Sequence, residues 1–198
     1  MGKTTMGAVV SLDGYIADDH DGVGPLFDWY RNGDVAWRFP GSDRELRSAR
    51  ASAEFMAGHY RDVAALVIGR RLFDLTGGWG GRPAAGEHVF VVTHRPPADW
   101  EHAGTAPFTF VDGVGQAIAA AKAFAGGRDV DVAAGQIGAH ALRLGLIDEV
   151  VLNQVPVVFG SGRPFFALGA LDEPLLLQDP TTIVRGDRVT HLVYPVRR

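Results

Sequence analysis

A handful of short apolar runs, each stopped by a small or turn-forming residue, constrain this chain more than any other feature: 64–69 (AALVIG), 88–93 (HVFVVT), 108–111 (FTFV), 130–134 (VDVAA) and 149–158 (EVVLNQVPVV). Runs of this length are too short for buried helices, and continuous apolar character on both faces is the mark of parallel strands. Helix-like segments separate them: Arg70–Leu75, Val114–Phe124 ending at Gly126-Gly127, and Gln136–Leu144 closed by Gly145. Upstream, Met6–Ile16 reads as a strand broken at Asp13-Gly14, and Asp18–Pro40 as a long loop with one helical turn. Ser42–Arg61 places Leu46, Ala49, Ala53, Met56 and Tyr60 at helical spacing behind a plausible N-cap, Ser42. Downstream, Leu171–Gln178, Thr181–Val184 and Arg188–Val196 are strand-like, with turns at Asp179-Pro180 and Gly186-Asp187. The pattern predicts one α/β domain over residues 1–198. It has three layers: a mainly parallel central sheet, antiparallel strands at its C-terminal edge, and helices on both faces.

Composition narrows what such a domain can do. The chain has 198 residues and no cysteine, which excludes disulfides, thiolate metal sites and a cysteine nucleophile. A net charge of −4 without a basic cluster argues against nucleic acid or an anionic membrane as partner. No run approaches the roughly 18 apolar residues of a spanning helix, and none looks like a secretory signal, so a cytoplasmic protein is expected. The seven histidines lack zinc-site spacings, so no metal is expected. The acidic run Asp18–Gly22 lacks the later glutamate of a calcium loop and reads as solvated.

Three strand ends carry groups that suit phosphates. The strongest is Ala134-Gly135-Gln136-Ile137-Gly138, where a strand passes directly into a helix. First-turn amides of a helix are unpaired and the dipole is positive there, so small residues make a ready anion site. A tight turn kept small for packing would look the same. Gly69-Arg70-Arg71 and Thr93-His94-Arg95 add guanidiniums, a hydroxyl and an imidazole at two more ends. Ligands of open α/β sheets bind outside the carboxyl ends of the strands, so the set outweighs any one member. Asp28 and Trp29, with Asp34 and Trp37, could stack a planar heterocycle or could pin a loop to the core.

The ordered set Ser11–Ala17 (SLDGYIA), Ile68-Gly69-Arg70, Val91-Val92-Thr93, Ala134–Gly138, Gly145–Val150 (GLIDEV) and Pro156–Phe166 (PVVFGSGRPFF) resembles the bacterial dihydrofolate-reductase-like family. That family is related to the C-terminal reductase domain of the bifunctional riboflavin-biosynthesis deaminase/reductase, and the likeness runs from about residue 5 to 195. It implies a dihydrofolate-reductase-like fold binding NADPH across the strand ends. Gly69, Arg70 and Arg71 would meet the phosphate-bearing adenosine half, and Thr93, His94 and Arg95 the adenine ribose with its 2′-phosphate. Ala134 to Gly138 would hold the pyrophosphate. Ala8 to Val10, with Asp13 and Gly14, would lie against the nicotinamide and the substrate, beside the Gly160-Ser161-Gly162-Arg163 loop.

The implied activity is NADPH-dependent hydride transfer to a small heterocycle. The substrate would be a ribosylaminopyrimidine, as in 5-amino-6-(5-phosphoribosylamino)uracil reduction, or a pterin. Asp13 or Asp28 would position the substrate or a proton donor, with Trp29 and Trp79 as walls. The relatives often form homodimers, and a homodimer is expected here. A non-catalytic nucleotide-binding protein of the same fold is the alternative.

Overall fold

Burial decides which runs become strands. The computed structural model describes residues 2–171 and 173–197. Its strands are β1 (Thr4–Ser11), β2 (Tyr15–Ala17), β3 (Val35–Trp37), β4 (Leu46–Ser48), β5 (Val63–Gly69), β6 (His88–Val92), β7 (Phe108–Val111), β8 (Asp129–Ala133), β9 (Glu149–Val155), β10 (Arg163–Pro164), β11 (Thr182–Arg185) and β12 (Thr190–Pro195). Its helices are α1 (Arg50–His59), α2 (Arg70–Thr76), α3 (Val114–Ala125) and α4 (Gln136–Arg143).

Eight strands form one sheet in the order β11-β12-β9-β1-β8-β5-β6-β7. The six from β9 to β7 are parallel, whereas β12 and β11 run antiparallel at one edge. Residues of α3 and α4, among them Ile118, Ala121 and Leu142, bury one face with Met6, Val130 and Val132. Ala53 and Met56 of α1 and Phe73 of α2 bury the other with Val9, Ile68 and Val91. This is the expected three-layer arrangement. Among the described residues no helix is long and apolar enough to cross a membrane.

Three element boundaries differ from expectation. The helix expected over Ser42–Arg61 begins at Arg50, because Leu46 and Ser48 are buried with Arg47 exposed, a two-residue period that pairs β4 with β3. Ala49 rather than Ser42 precedes that helix. The break expected at Asp13-Gly14 is present: it divides β1 from β2, and Gly14 has a φ of 90° that only glycine adopts cheaply. The strand expected to reach Val158 ends at Val155, where Pro156 has no N–H for the ladder. Leu171–Gln178 forms no strand among its described residues, only a bridge from Leu177 to Val196, and Asp172 lies outside the described residues.

Candidate active site

Register fixes where the strand ends meet. Gly69 of β5 pairs with Val92 of β6, and Val92 pairs with Val111 of β7, so these three ends are level. Ala133 of β8 pairs with Gly7 of β1, but β1 continues to Ser11 with β9 as its ladder partner. The β8-side backbone edge of Ala8 to Ser11 is therefore left open beyond Ala134. That open edge, α4's first turn and the ends of β5 and β6 share one side of the sheet. The structure thus brings Ala8, Gly69, Arg70, Arg71, Thr93, His94, Arg95 and Ala134 to Gly138 to one end of the sheet.

At this end the glycines answer different needs. Gly135 has φ 82° and ψ −141°, a backbone that side chains do not tolerate, and its N–H donates to the Phe165 carbonyl at 2.8 Å. Gly138 is kept small by packing: a Cβ there would stand 2.8 Å from the end of Met6. Ile137 packs over Gly69, joining the β5 and β8 ends.

The cations are tethered by identifiable partners. Arg70 Nε donates to Asp74 Oδ1 at 2.7 Å, and its Nη1 donates to the Arg95 carbonyl. Thr93 Oγ1 accepts the Arg95 N–H at 3.1 Å, closing a small turn, and His94 contacts Asp112. Arg71 grips Asp21 through two nitrogens, one bond at 2.8 Å, while Arg163 Nε donates to the same carboxylate at 3.0 Å. The Arg71 hydrogen bond, supported by Arg163, holds Asp21 down to about 2. Within the run Asp18–Gly22, Asp19 and His20 are exposed as expected, while Asp18 Oδ1 accepts the Gly22 N–H at 2.7 Å and Asp21 adopts a left-handed φ of 66° that aims it at the two arginines. Sequence reasoning missed Asp21, Asp74 and the partnership of Arg163; nothing in the linear pattern marks a left-handed aspartate.

On the far side of the open edge, Asp13 is a brace. Its carboxylate accepts the Ser11 hydroxyl at 2.6 Å and the Gly160 N–H at 2.7 Å, with the Phe159 N–H at 3.1 Å. The Ser11 bond leads in pushing its pKa below the usual carboxylate range, so Asp13 stays ionised and has no proton to donate. It positions the Gly160–Gly162 loop, which Ser161 also ties to Asp19 and which Gly162 lets approach Ala17 too closely for any side chain.

Two expected site residues are placed elsewhere. Trp29 is fully buried, stacked on Trp37 at 6.2 Å and edge-on to His191, because an indole of this size gains most by complete burial. It is a core residue and presents no face to a ligand at the strand ends. Asp28 is exposed on the 3-10 turn Gly24–Tyr30, and among the described residues no hydrogen bond or ion pair joins its side chain to Asp13 or the strand ends. Trp79 lies in the Gly77–Gly81 turn after α2, partly buried against the α1–α2 core. Among the described residues no group of three or more His, Asp or Glu side chains is placed to hold a metal ion.

Sheet order and strand ends together define a three-layer α/β fold on a mainly parallel sheet. No family model matches the chain, and no curated protein matches it in sequence. Solved structures do. A Shewanella sp. PV-4 protein assigned by name to riboflavin biosynthesis is similar over 99% of both chains, at TM-score 0.73 and 22% identity. A pyrimidine reductase-like protein from Corynebacterium diphtheriae aligns over 100% of this chain and 92% of its own, at TM-score 0.62 and 12% identity. The Thermotoga maritima diaminohydroxyphosphoribosylaminopyrimidine deaminase/5-amino-6-(5-phosphoribosylamino)uracil reductase aligns over 99% of this chain but 57% of its own, at TM-score 0.61 and 14% identity. The chain has the fold of these proteins, the fold to which the sequence resemblance points.

Proposed function

We propose that this protein is an NADPH-dependent reductase of a small planar heterocycle, a ribosylaminopyrimidine in preference to a pterin. One observation carries the reading: the open β1 edge lies beside α4's first turn, at the end of the sheet where four arginines gather, Arg70 paired with Asp74, Arg71 and Arg163 sharing Asp21, and Arg95 with no carboxylate among the described residues. The guanidinium of Arg95 has no partner among the described residues. This donor set fits a polyanionic dinucleotide. Arg70, Arg71 and Arg95 would hold its phosphates, the amides of Gln136 to Gly138 its pyrophosphate, and the backbone of Ala8 to Val10 the carboxamide of its ring. When bound, the cofactor supplies a hydride at that ring. Asp13 orients the Gly160 loop over the same place and helps exclude water. Asp13 is an ionised brace and Asp28 stands apart, so for either substrate class the proton that balances the hydride comes from another donor, such as water. The names of the Corynebacterium and Thermotoga proteins support a pyrimidine substrate.

Titration by tryptophan fluorescence tests the cofactor, and loss of NADPH absorbance with a ribosylaminopyrimidine or dihydrofolate tests catalysis. Binding without turnover of either would favour the non-catalytic alternative; absence of binding would refute the reading. Arg95→Ala and Arg70→Ala are expected to weaken NADPH about tenfold and NADH far less, since a charged hydrogen bond to the extra phosphate is worth roughly 1.5–3 kcal/mol. Equal losses for both cofactors would place the 2′-phosphate elsewhere. Asp21 competes with phosphate for Arg71, so Asp21→Asn is expected to tighten NADPH several-fold at low salt. Weaker binding would instead make Asp21 a positioner of the arginines. The reading also carries a homodimer, checked by a light-scattering mass of twice the 21.2 kDa chain.

A further inference from the structure

A cavity rimmed by two arginines opens at the same end of the sheet, on the β9 side of β1. A cavity of about 380 Å³ is lined by Leu12, Gln154, Pro156, Arg185, Arg188 and Thr190. Leu12 directly follows β1, and its N–H donates to the Val157 carbonyl at 2.8 Å, so the pocket adjoins the Asp13 brace. Neither Arg185 nor Arg188 has an ion-pair partner among the described residues. Asp187 also lines the cavity, leaving two guanidiniums against one carboxylate.

The turn that presents these arginines is held in place. Gly186 N–H donates to the Val189 carbonyl at 2.9 Å, and Asn32 Nδ2 donates to the Asp187 carbonyl at 2.9 Å. Ser52 Oγ of α1 lies so near Gly186 that a Cβ there would stand 2.0 Å away. Within this turn Arg188 has φ 56°, a left-handed conformation that glycine or asparagine would adopt at less cost. A long cationic side chain kept at a strained position, over a cavity with an unpaired cation beside it, points to use of that cation.

We propose that Arg185 and Arg188 form an oxyanion subsite that anchors the anionic end of the substrate, two strands away from the β1 edge where its ring would lie. The ligand chemistry is a phosphate-sized oxyanion, from a phosphate ester or a carboxylate. Its role as a substrate anchor rests on the reductase reading; its capacity to bind an anion does not.

The test is an amide NMR titration of the whole protein without cofactor, using inorganic phosphate and, separately, malonate. Phosphate is expected to shift Leu12, Gln154 and residues 185–190, and the double variant Arg185→Ala/Arg188→Gly to weaken that response at least tenfold. Glycine suits the left-handed position, so this variant removes the guanidinium without straining the turn, and its NADPH affinity should match that of the parent. A stronger response to phosphate assigns a phosphate ester and a stronger one to malonate a carboxylate, both supporting the subsite. Shifts confined to residues 70–71, 95 and 136–138, or a response the double variant leaves intact, would overturn it. NADPH failing to bind while phosphate still shifts the 185–190 turn would sink the reductase reading alone.

Discussion

Asp131→Asn is expected to stabilise the protein by about 3 kcal/mol at pH 8 and to leave its stability almost unchanged near pH 4. Asp131 of β8 sits against β1, accepting the Thr5 hydroxyl at 2.9 Å, and a Cβ on Gly7 would lie 3.5 Å from both its carboxylate and the Tyr60 hydroxyl. Burial raises its pKa to about 7, with the bonds from Thr5 and the Val132 N–H offsetting only part of that. Between about 4 and 7 the folded protein holds a proton that the unfolded chain has released. Stability is therefore fully present below that window and lost as pH rises through it. The full linkage is about 4 kcal/mol, reduced here because the residue is only partly buried. Asparagine keeps the shape and the acceptor for Thr5 but has nothing to ionise. Urea unfolding at both pH values decides the matter: an equal gain at pH 4 and pH 8 would show that ionisation is not the cause.

His191→Gln is expected to cost about 2 kcal/mol at pH 7.5 and to lose that disadvantage by pH 4.5. His191 is fully buried, with Nδ1 2.6 Å from Asn153 Oδ1 and Nε2 2.9 Å from Ser52 Oγ. The neutral ring donates to the amide oxygen and accepts the serine hydroxyl, tying β12 to β9 and α1, and it stacks on Phe55 at 4.5 Å. Burial lowers its pKa to about 4, with nearby His59 adding to the effect. Here the folded state refuses a proton that the unfolded chain takes up. Stability is present above about 6.5 and lost as pH falls toward 4, by about 3 kcal/mol in all. A constant penalty across that range would refute the linkage.

The two groups oppose each other over the same window, so the parent protein should show a flat stability profile that neither variant keeps. Asp131→Asn would expose the acid-side loss, and His191→Gln the alkaline-side loss. The sheet order β12-β9-β1-β8 puts three strand spacings, about 14 Å, between them, and at that distance the two effects should add. Both lie on the α1 face of the sheet. Neither is placed to act on a ligand at the strand ends, so pH effects on stability and on any turnover can be read apart.

The amino-acid sequence by itself determined the sheet and the end of it where small residues and arginines gather. Apolar runs bounded by glycine and proline can be satisfied only as buried strands, and the small residues and arginines after them mark the ends where backbone amides go unpaired. What the arginines touch was decided only by the tertiary structure. Whether Arg71 is free or clamped depends on Asp21, fifty positions away and turned by a left-handed backbone, and whether Asp13 is an acid or a brace depends on the Phe159 and Gly160 amides. Trp29 and Asp28 are neighbours in the chain, yet one indole is swallowed by the core while the carboxylate beside it faces water. Strand propensity is a property of neighbouring residues, so it is legible in order. A charge takes its meaning from partners that only folding brings within a few ångströms.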